Sequence, residues 1–171
     1  MNADLPFSIR RATSGDAEGI LECLHIAFEP YRGEYTDAAF EDTVLTLNTL
    51  HQRFAAMVVF VASGGDGVIV GTIACQVLEG GEGHIRGMAV RPGWQGCGVA
   101  QQLLEAVESE LQGRNCSRIS LDTTEPLRRA MRFYEKNGFR ASGVVKDFFG
   151  MPLFEYVKTV TEQASGPPRT G

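Results

Sequence analysis

The sequence predicts an α/β layered domain on a mixed, mainly antiparallel sheet of about seven strands, flanked by about four helices. Three observations carry this. Two strand-like runs, Met57 to Ala62 and Val68 to Leu78, flank the turn signal Gly64-Gly65-Asp66-Gly67, which reads as a hairpin. From His84 onward the pattern alternates strand, helix, strand, helix, strand. No repeat and no second apolar unit interrupts it, so the 171 residues read as one domain large enough to bury a substantial core.

The elements follow in order. Phe7 to Arg11 alternates apolar and polar and reads as a first strand. Thr13 and Ser14 suit a helix start, with Asp16 and Glu18 in its first turn. Ile20, Leu21, Leu24 and Phe28 give that helix a buried face, and Glu29-Pro30 ends it. After the loop Pro30 to Thr36, one helix is expected over Asp37 to Gln52, with Phe40, Val44, Leu47 and Leu50 inward. The run Met57 to Ala62 is continuously apolar, as in a strand covered on both faces. His84 to Val90 is a further strand, and Gly98 to Gln112 a helix with Val99, Leu103, Val107 and Leu111 on one face. Gly113 and Asn115 suit its C-terminal end. Ser117 to Thr123 is a strand, and Pro126 opens a helix that Asn137-Gly138 ends. Phe139 to Lys146 and Leu153 to Val160 are a closing pair of strands. The domain spans residues 7–160, and the polar stretch 161–171 reads as a mobile tail.

Composition excludes several classes. The chain is 43% hydrophobic and 22% charged, with a net charge of −5. It carries no basic stripe of the kind nucleic-acid binders use. No apolar run approaches the roughly 20 residues that span a bilayer, and Met1 to Ser8 lacks the basic-then-apolar build of a secretory signal. Cys23, Cys75, Cys97 and Cys116 form no C-x-x-C pair. That disfavours a metal site or a disulfide framework and fits reduced thiols in a cytoplasm.

The chemistry is concentrated between His84 and Leu104. A strand, a turn rich in Gly and Pro, and a helix form the arrangement that aims backbone N–H groups at an anion. A phosphate or pyrophosphate is therefore expected over Gln95 to Ala100. Gly93 to Gly98 spells G-x-x-x-x-G, but Val99 and Ala100 stand where a P-loop needs Lys and Ser or Thr. Gly96-Cys97-Gly98 could open a dinucleotide fingerprint, but its last small position falls on Gln101. The pattern that fits is Q-x-x-G-x-A, filled by Gln95, Gly98 and Ala100. It resembles the phosphate turn of GNAT-type N-acetyltransferases, which cradles the pyrophosphate of acetyl-CoA. A second stretch, Ala130-Met-Arg-Phe-Tyr-Glu-Lys-Asn-Gly-Phe139, resembles that family's helix with an aromatic pair and a Gly-Phe exit. The resemblance runs from roughly Ile9 to Val160.

The resemblance implies an acetyl-CoA-dependent N-acetyltransferase working by direct transfer to an amine, with no metal. A non-catalytic acyl-CoA-binding sensor on the same fold is the alternative. Coenzyme A would be held by Gln95, Gly96, Cys97, Gly98, Val99 and Ala100 at the pyrophosphate. By position, the backbone of Met88, Ala89 and Val90 would pair with the pantetheine arm, with a bulge at Gly87. Tyr134 is the candidate acid for the departing thiolate, since a phenol titrates near ~10. An amine has to lose its proton, and His84 opens the strand where relatives often carry a Glu. Glu82 and Glu79 are alternatives, as is no side-chain base at all, with a backbone N–H near Met88 serving the oxyanion. One position departs from the family. Leu127 stands where relatives often have Asn.

The acceptor, a small-molecule amine or a protein amine, would lie beside the loop bearing Tyr31, Arg32 and Tyr35. Asp147, Phe148 and Phe149 are further candidates for receiving an ammonium. Arg128, Arg129 and Arg132 read as a solvated helix face from which one could reach phosphates. Trp94 would shield the turn. Neither a membrane nor a nucleic acid is expected as partner. Dimers occur in the family, although this sequence carries no signature of one.

Overall fold

The structure is a computed structural model that describes residues 6–160, so the expected tail at 161–171 lies outside the described residues. Seven strands form one sheet: β1 (Phe7–Arg11), β2 (Val58–Gly64), β3 (Ile69–Val77), β4 (Gly83–Val90), β5 (Arg118–Thr124), β6 (Arg140–Phe148) and β7 (Met151–Thr159). Their order is β1-β2-β3-β4-β5-β7-β6. All neighbours are antiparallel except β4 and β5, which are parallel. Five helices cover the sheet: α1 (Ala17–Phe28), α2 (Asp37–Val44), α3 (Leu47–Ala56), α4 (Val99–Gly113) and α5 (Arg128–Lys136). The mixed, mainly antiparallel α/β layering expected from the sequence is what forms.

The layers enclose two cores. On one face, Ile20, Leu24 and Phe28 of α1 meet Phe40, Leu50, Val59, Val61 and Ala74. On the other, Val99, Leu103, Val107 and Leu111 of α4 meet Val70, Ile73, Ile85 and Ile119, with Tyr134 and Phe139 beside them. The α4 stripe read from the sequence is thus fully inside. The strand buried along nearly its whole length is β3, Ile69 to Cys75, whereas β2 alternates buried and half-buried positions. The sheet order explains this, because β3 lies next to the centre and both α1 and α4 pack on it.

Three expected boundaries differ. The single helix predicted over Asp37 to Gln52 is two helices, which raises the count from four to five. Leu45 breaks it in the left-handed region at φ 65°. Thr46 then caps α3: its hydroxyl accepts from Thr49 N–H at 3.2 Å, while Thr46 N–H donates to Thr49 Oγ1 at 2.8 Å. The last helix begins at Arg128 rather than Pro126, because Leu127 N–H closes a turn on the Thr124 carbonyl at 3.0 Å. Asp147 belongs to β6, and the hairpin turn is Phe149-Gly150, both at positive φ.

Two helix ends are closed alike. After α4, Cys116 N–H bonds the Leu111 carbonyl and Asn115 takes φ 64°. After α5, Phe139 N–H bonds the Tyr134 carbonyl across Gly138 at φ 91°. Both are Schellman closures. The second drives Phe139 into the core at 1% exposure and fixes the pitch of the helix that carries Tyr134. Among the described residues, no helix is long and apolar enough to cross a membrane.

Candidate active site

The parallel pairing of β4 and β5 covers only Gly83–Ile85 against Ile119–Leu121. Beyond it the two strands part, and among the described residues β4 from Arg86 onward has no strand partner on its β5 side. A cavity of about 250 Å³ fills the gap. His84, Gly87 and Met88 of β4, Asp122 and Thr123 of β5, Tyr134 of α5 and Arg53 of α3 are among its walls. A bulge helps to part the strands. Thr72 faces Ala89 and Ala74 faces Arg86, so Gly87 and Met88 together stand opposite Ile73. Gly87 takes φ 69°, the conformation such a bulge requires.

At the end of β4 the chain turns sharply. Arg91 is held by its N–H on the Val70 carbonyl and by Nε on the Ile69 carbonyl, at 2.9 and 2.8 Å. Trp94 packs edge-on against Phe7, which leaves Gln95 to Gly98 exposed. Gly96 and Gly98 take φ 78° and 87°. Gly98 precedes α4 without a side chain to cap it, and no carboxylate sits in the first turn. The first intrahelical bond, Gln102 N–H to the Gly98 carbonyl, leaves the preceding N–H groups free of intrahelical partners. Such a helix start favours an anion. Arg129 of α5 crosses to it, Nη1 donating to Gln95 Oε1 at 3.0 Å.

Tyr134 lines the cavity and is 7% exposed. Burial pushes its phenol well above the usual value, so it holds its proton. Phe133 and Phe139 flank it edge-on at 5.6 and 5.8 Å. On the opposite wall, burial lowers the His84 imidazole below 6.5, against the opposing pull of Asp122. Its proton is placed by a chain. Arg118 engages the Glu82 carboxylate at 3.0 Å, and Ser120 Oγ donates to Glu82 at 3.2 Å. The Ser120 oxygen therefore accepts from His84 Nδ1–H at 3.0 Å. Nε2 is left unprotonated, 3.9 Å from Asp122. Thr123 Oγ1 is buried with no hydrogen-bond partner among the described residues.

Residues 20–139 match the profile of the acetyltransferase (GNAT) family. The chain belongs to the GNAT acetyltransferase family. Over 84 residues it is 31% identical to [ribosomal protein bS18]-alanine N-acetyltransferase of Haemophilus ducreyi, a stretch amounting to 49% of this chain. The chain spans only 57% of that relative's length. PaiA N-acetyltransferase from Thermoplasma acidophilum, solved in complex with coenzyme A, has a TM-score of 0.77 at 16% identity, over 90% of this chain and 98% of that one. The ribosomal-protein-S18-alanine N-acetyltransferase of Escherichia coli gives 0.72 at 15% identity, over 94% and 98%. At these identities the two structures speak for the fold.

Set on the GNAT fold, the residues singled out in the sequence are only partly brought together. Tyr134, His84 and Met88 line the cavity, while Gln95 to Gly98 form the turn beyond the end of β4 and Val99 and Ala100 open α4. Ala89 is buried and pairs with Thr72, and Val90 pairs with Gly71. Of the loop trio, Tyr35 alone lines the cavity, its hydroxyl 2.6 Å from Thr124 Oγ1. Arg32 instead lies over the Phe40 ring at 4.3 Å and pairs with Glu29, while Tyr31 packs against the α1 core. Phe148 reaches the cavity and Asp147 does not. Glu82 acts on Ser120 and Arg118, outside the cavity wall.

Sequence reasoning missed Arg53, Asp122 and Thr123. Asp122 carried a usable signal, because a carboxylate inside the apolar run of β5 is costly without a partner. Arg53 carried none, since it falls just past the end expected for that helix at Gln52.

Proposed function

We propose that this chain is an N-acetyltransferase that moves the acetyl group of acetyl-CoA directly to an amine. The observation that carries the reading is the gap between β4 and β5, with an uncapped helix start at one end and a protonated tyrosine in its wall. The residues present fit coenzyme A. The N–H groups at the start of α4 and Arg129 suit its pyrophosphate, the unpaired edge of β4 suits its pantetheine amides, and Thr123 Oγ1 is an orphaned polar atom beside them.

Acetyl-CoA, when bound, supplies the acyl group as an activated thioester. The protein's own part is positional and protonic. The β4 backbone and the turn Gln95 to Ala100 hold and orient the ligand. His84 Nε2 receives the amine's proton, its other nitrogen locked on Ser120. A backbone N–H of the Gly87-Met88 bulge faces developing oxyanion charge. Tyr134 O–H donates to the leaving sulfur, a proton it still carries at neutral pH.

The bacterial relatives are named for a protein alanine acceptor, and a protein α-amine is the acceptor favoured for this chain. Cys23, Cys75 and Cys116 are buried as free thiols, in keeping with a cytoplasmic setting. The test is calorimetric titration with acetyl-CoA, followed by free-thiol release over a panel of amines and peptide N-termini. Binding with amine-dependent release is expected. Binding without release from any amine would favour the sensor alternative, and absence of binding would end the reading.

A further inference from the structure

Arg53 of α3 stands in the cavity wall, half-buried, with its guanidinium against Gly87 of the bulge. Every other charged group in that wall has a partner. Arg86 holds Asp42 at 3.2 Å. Asp122 faces Lys146 at 3.5 Å and His84 at 3.9 Å. Among the described residues, Arg53 has no ion pair and no side-chain hydrogen bond. Burial and the neighbouring Arg86 lower its pKa to about 10 against the weaker pull of Asp42, which leaves it charged at neutral pH.

An unpaired guanidinium is a costly way to fill a wall. A Met or Leu would cover the same apolar surface without desolvating a charge. The fork of donors suits a planar carboxylate in particular. It also lies beside the bulge, where the reacting carbonyl is expected, so the group it receives would sit near the reacting amine. On the acyl-transfer reading above, we infer that the acceptor carries a carboxylate close to its amine and that Arg53 receives it. Two sources share this chemistry: an amino-acid-like small molecule, or a protein N-terminus with Asp or Glu next to the reacting residue.

The test uses acetylated products, so that it reads binding whether or not turnover is found. N-acetyl-Ala-Glu amide and N-acetyl-Ala-Gln amide, with N-acetylalanine and N-acetylalanine amide for the small-molecule source, are titrated calorimetrically into the CoA-loaded protein. In one of the two pairs the carboxylate member is expected to bind about tenfold tighter, and the pair that responds identifies the source. Arg53→Met abolishes that difference and leaves acetyl-CoA affinity within about twofold. Arg53→Lys, which keeps the charge and loses the fork, retains part of it and serves if Arg53→Met does not fold. Equal binding within both pairs, or a preference that survives Arg53→Met, overturns the inference. Failure of acetyl-CoA itself to bind is read separately, as failure of the acyl-transfer reading.

Discussion

His84 Nδ1 lies 3.0 Å from Ser120 Oγ, and the hydroxyl behind it is already committed to Glu82. This fixes which imidazole nitrogen is free. Burial lowers the His84 pKa below 6.5, so the imidazole is neutral at pH 7 and protonates only in acid. The kcat/KM profile should therefore rise with pH through one ionisation below 6.5 and then level. His84→Gln should remove that limb and cost roughly a hundredfold in rate. Ser120→Ala should move the limb without removing it. Linkage gives a second readout. A folded-state pKa below the unfolded value means the unfolded chain binds the proton more readily. The stability this contributes is complete above about 6.5 and is lost as pH falls through the folded pKa. Melting curves at pH 7 and 5 should then diverge more for the wild type than for His84→Gln. An acid limb that persists in His84→Gln would assign the base elsewhere.

Tyr134→Phe removes one oxygen from a buried ring that makes no hydrogen bond within the described protein. The core contacts to Phe133 and Phe139 are unaffected. Melting temperature and acetyl-CoA affinity should stay near wild type while kcat falls by about a hundredfold or more. Unchanged kcat would make the hydroxyl a bystander and strengthen the sensor reading.

The glycine turn and the last helix were legible in the sequence because their backbone signals are local. Glycines at Gly96 and Gly98, an uncapped helix start and the Asn137-Gly138-Phe139 exit act on backbone within a few residues. The break at Leu45 was not legible. The apolar spacing Phe40, Val44, Leu47, Leu50 continues across it, and only the Thr46–Thr49 cap marks a new start. The acceptor side was poorly legible for a different reason. Arg32 looked like a ligand because it is a loop arginine between tyrosines, yet Phe40 and Glu29 occupy it. Arg53 meets Gly87 of the bulge only through the tertiary fold, a long-range relation that no spacing encodes.

Arg129 ties α5 to the glycine turn through Gln95 at 3.0 Å. Both side chains are exposed, so the bond itself adds little stability. A phosphate there would gain a charge-assisted donor. Arg129→Ala should raise the acetyl-CoA Kd by roughly 5- to 30-fold, a loss of about 1–2 kcal/mol, with the melting temperature unchanged. The penalty should shrink in high salt. S-acetylpantetheine, which lacks the pyrophosphate, should show no difference between the two proteins. A penalty equal for both ligands would place Arg129 away from the phosphates.

Gly87 and Gly98 separate the two halves of the site by substitution. Both sit at positive φ, 69° and 87°, so an alanine at either strains the backbone by about 1–2 kcal/mol. Their surroundings differ. A Cβ at Gly98 meets nothing within 4 Å, whereas one at Gly87 collides with the Arg53 guanidinium. That group is the far end of a flexible side chain, so it swings aside rather than disrupting the core. Each variant should therefore lose a few degrees of melting temperature, about 2–8 °C for a domain of this size. Function should divide them. Gly98→Ala alters the turn that meets the pyrophosphate and should weaken acetyl-CoA. Gly87→Ala moves Arg53 and distorts the bulge, so it should lower kcat and erase the preference for a carboxylate product while acetyl-CoA affinity falls less. The decisive comparison is the ratio of the two affinities in each variant. If both variants lose acetyl-CoA and product binding in equal proportion, the glycines act through stability alone and the division of the cavity is wrong.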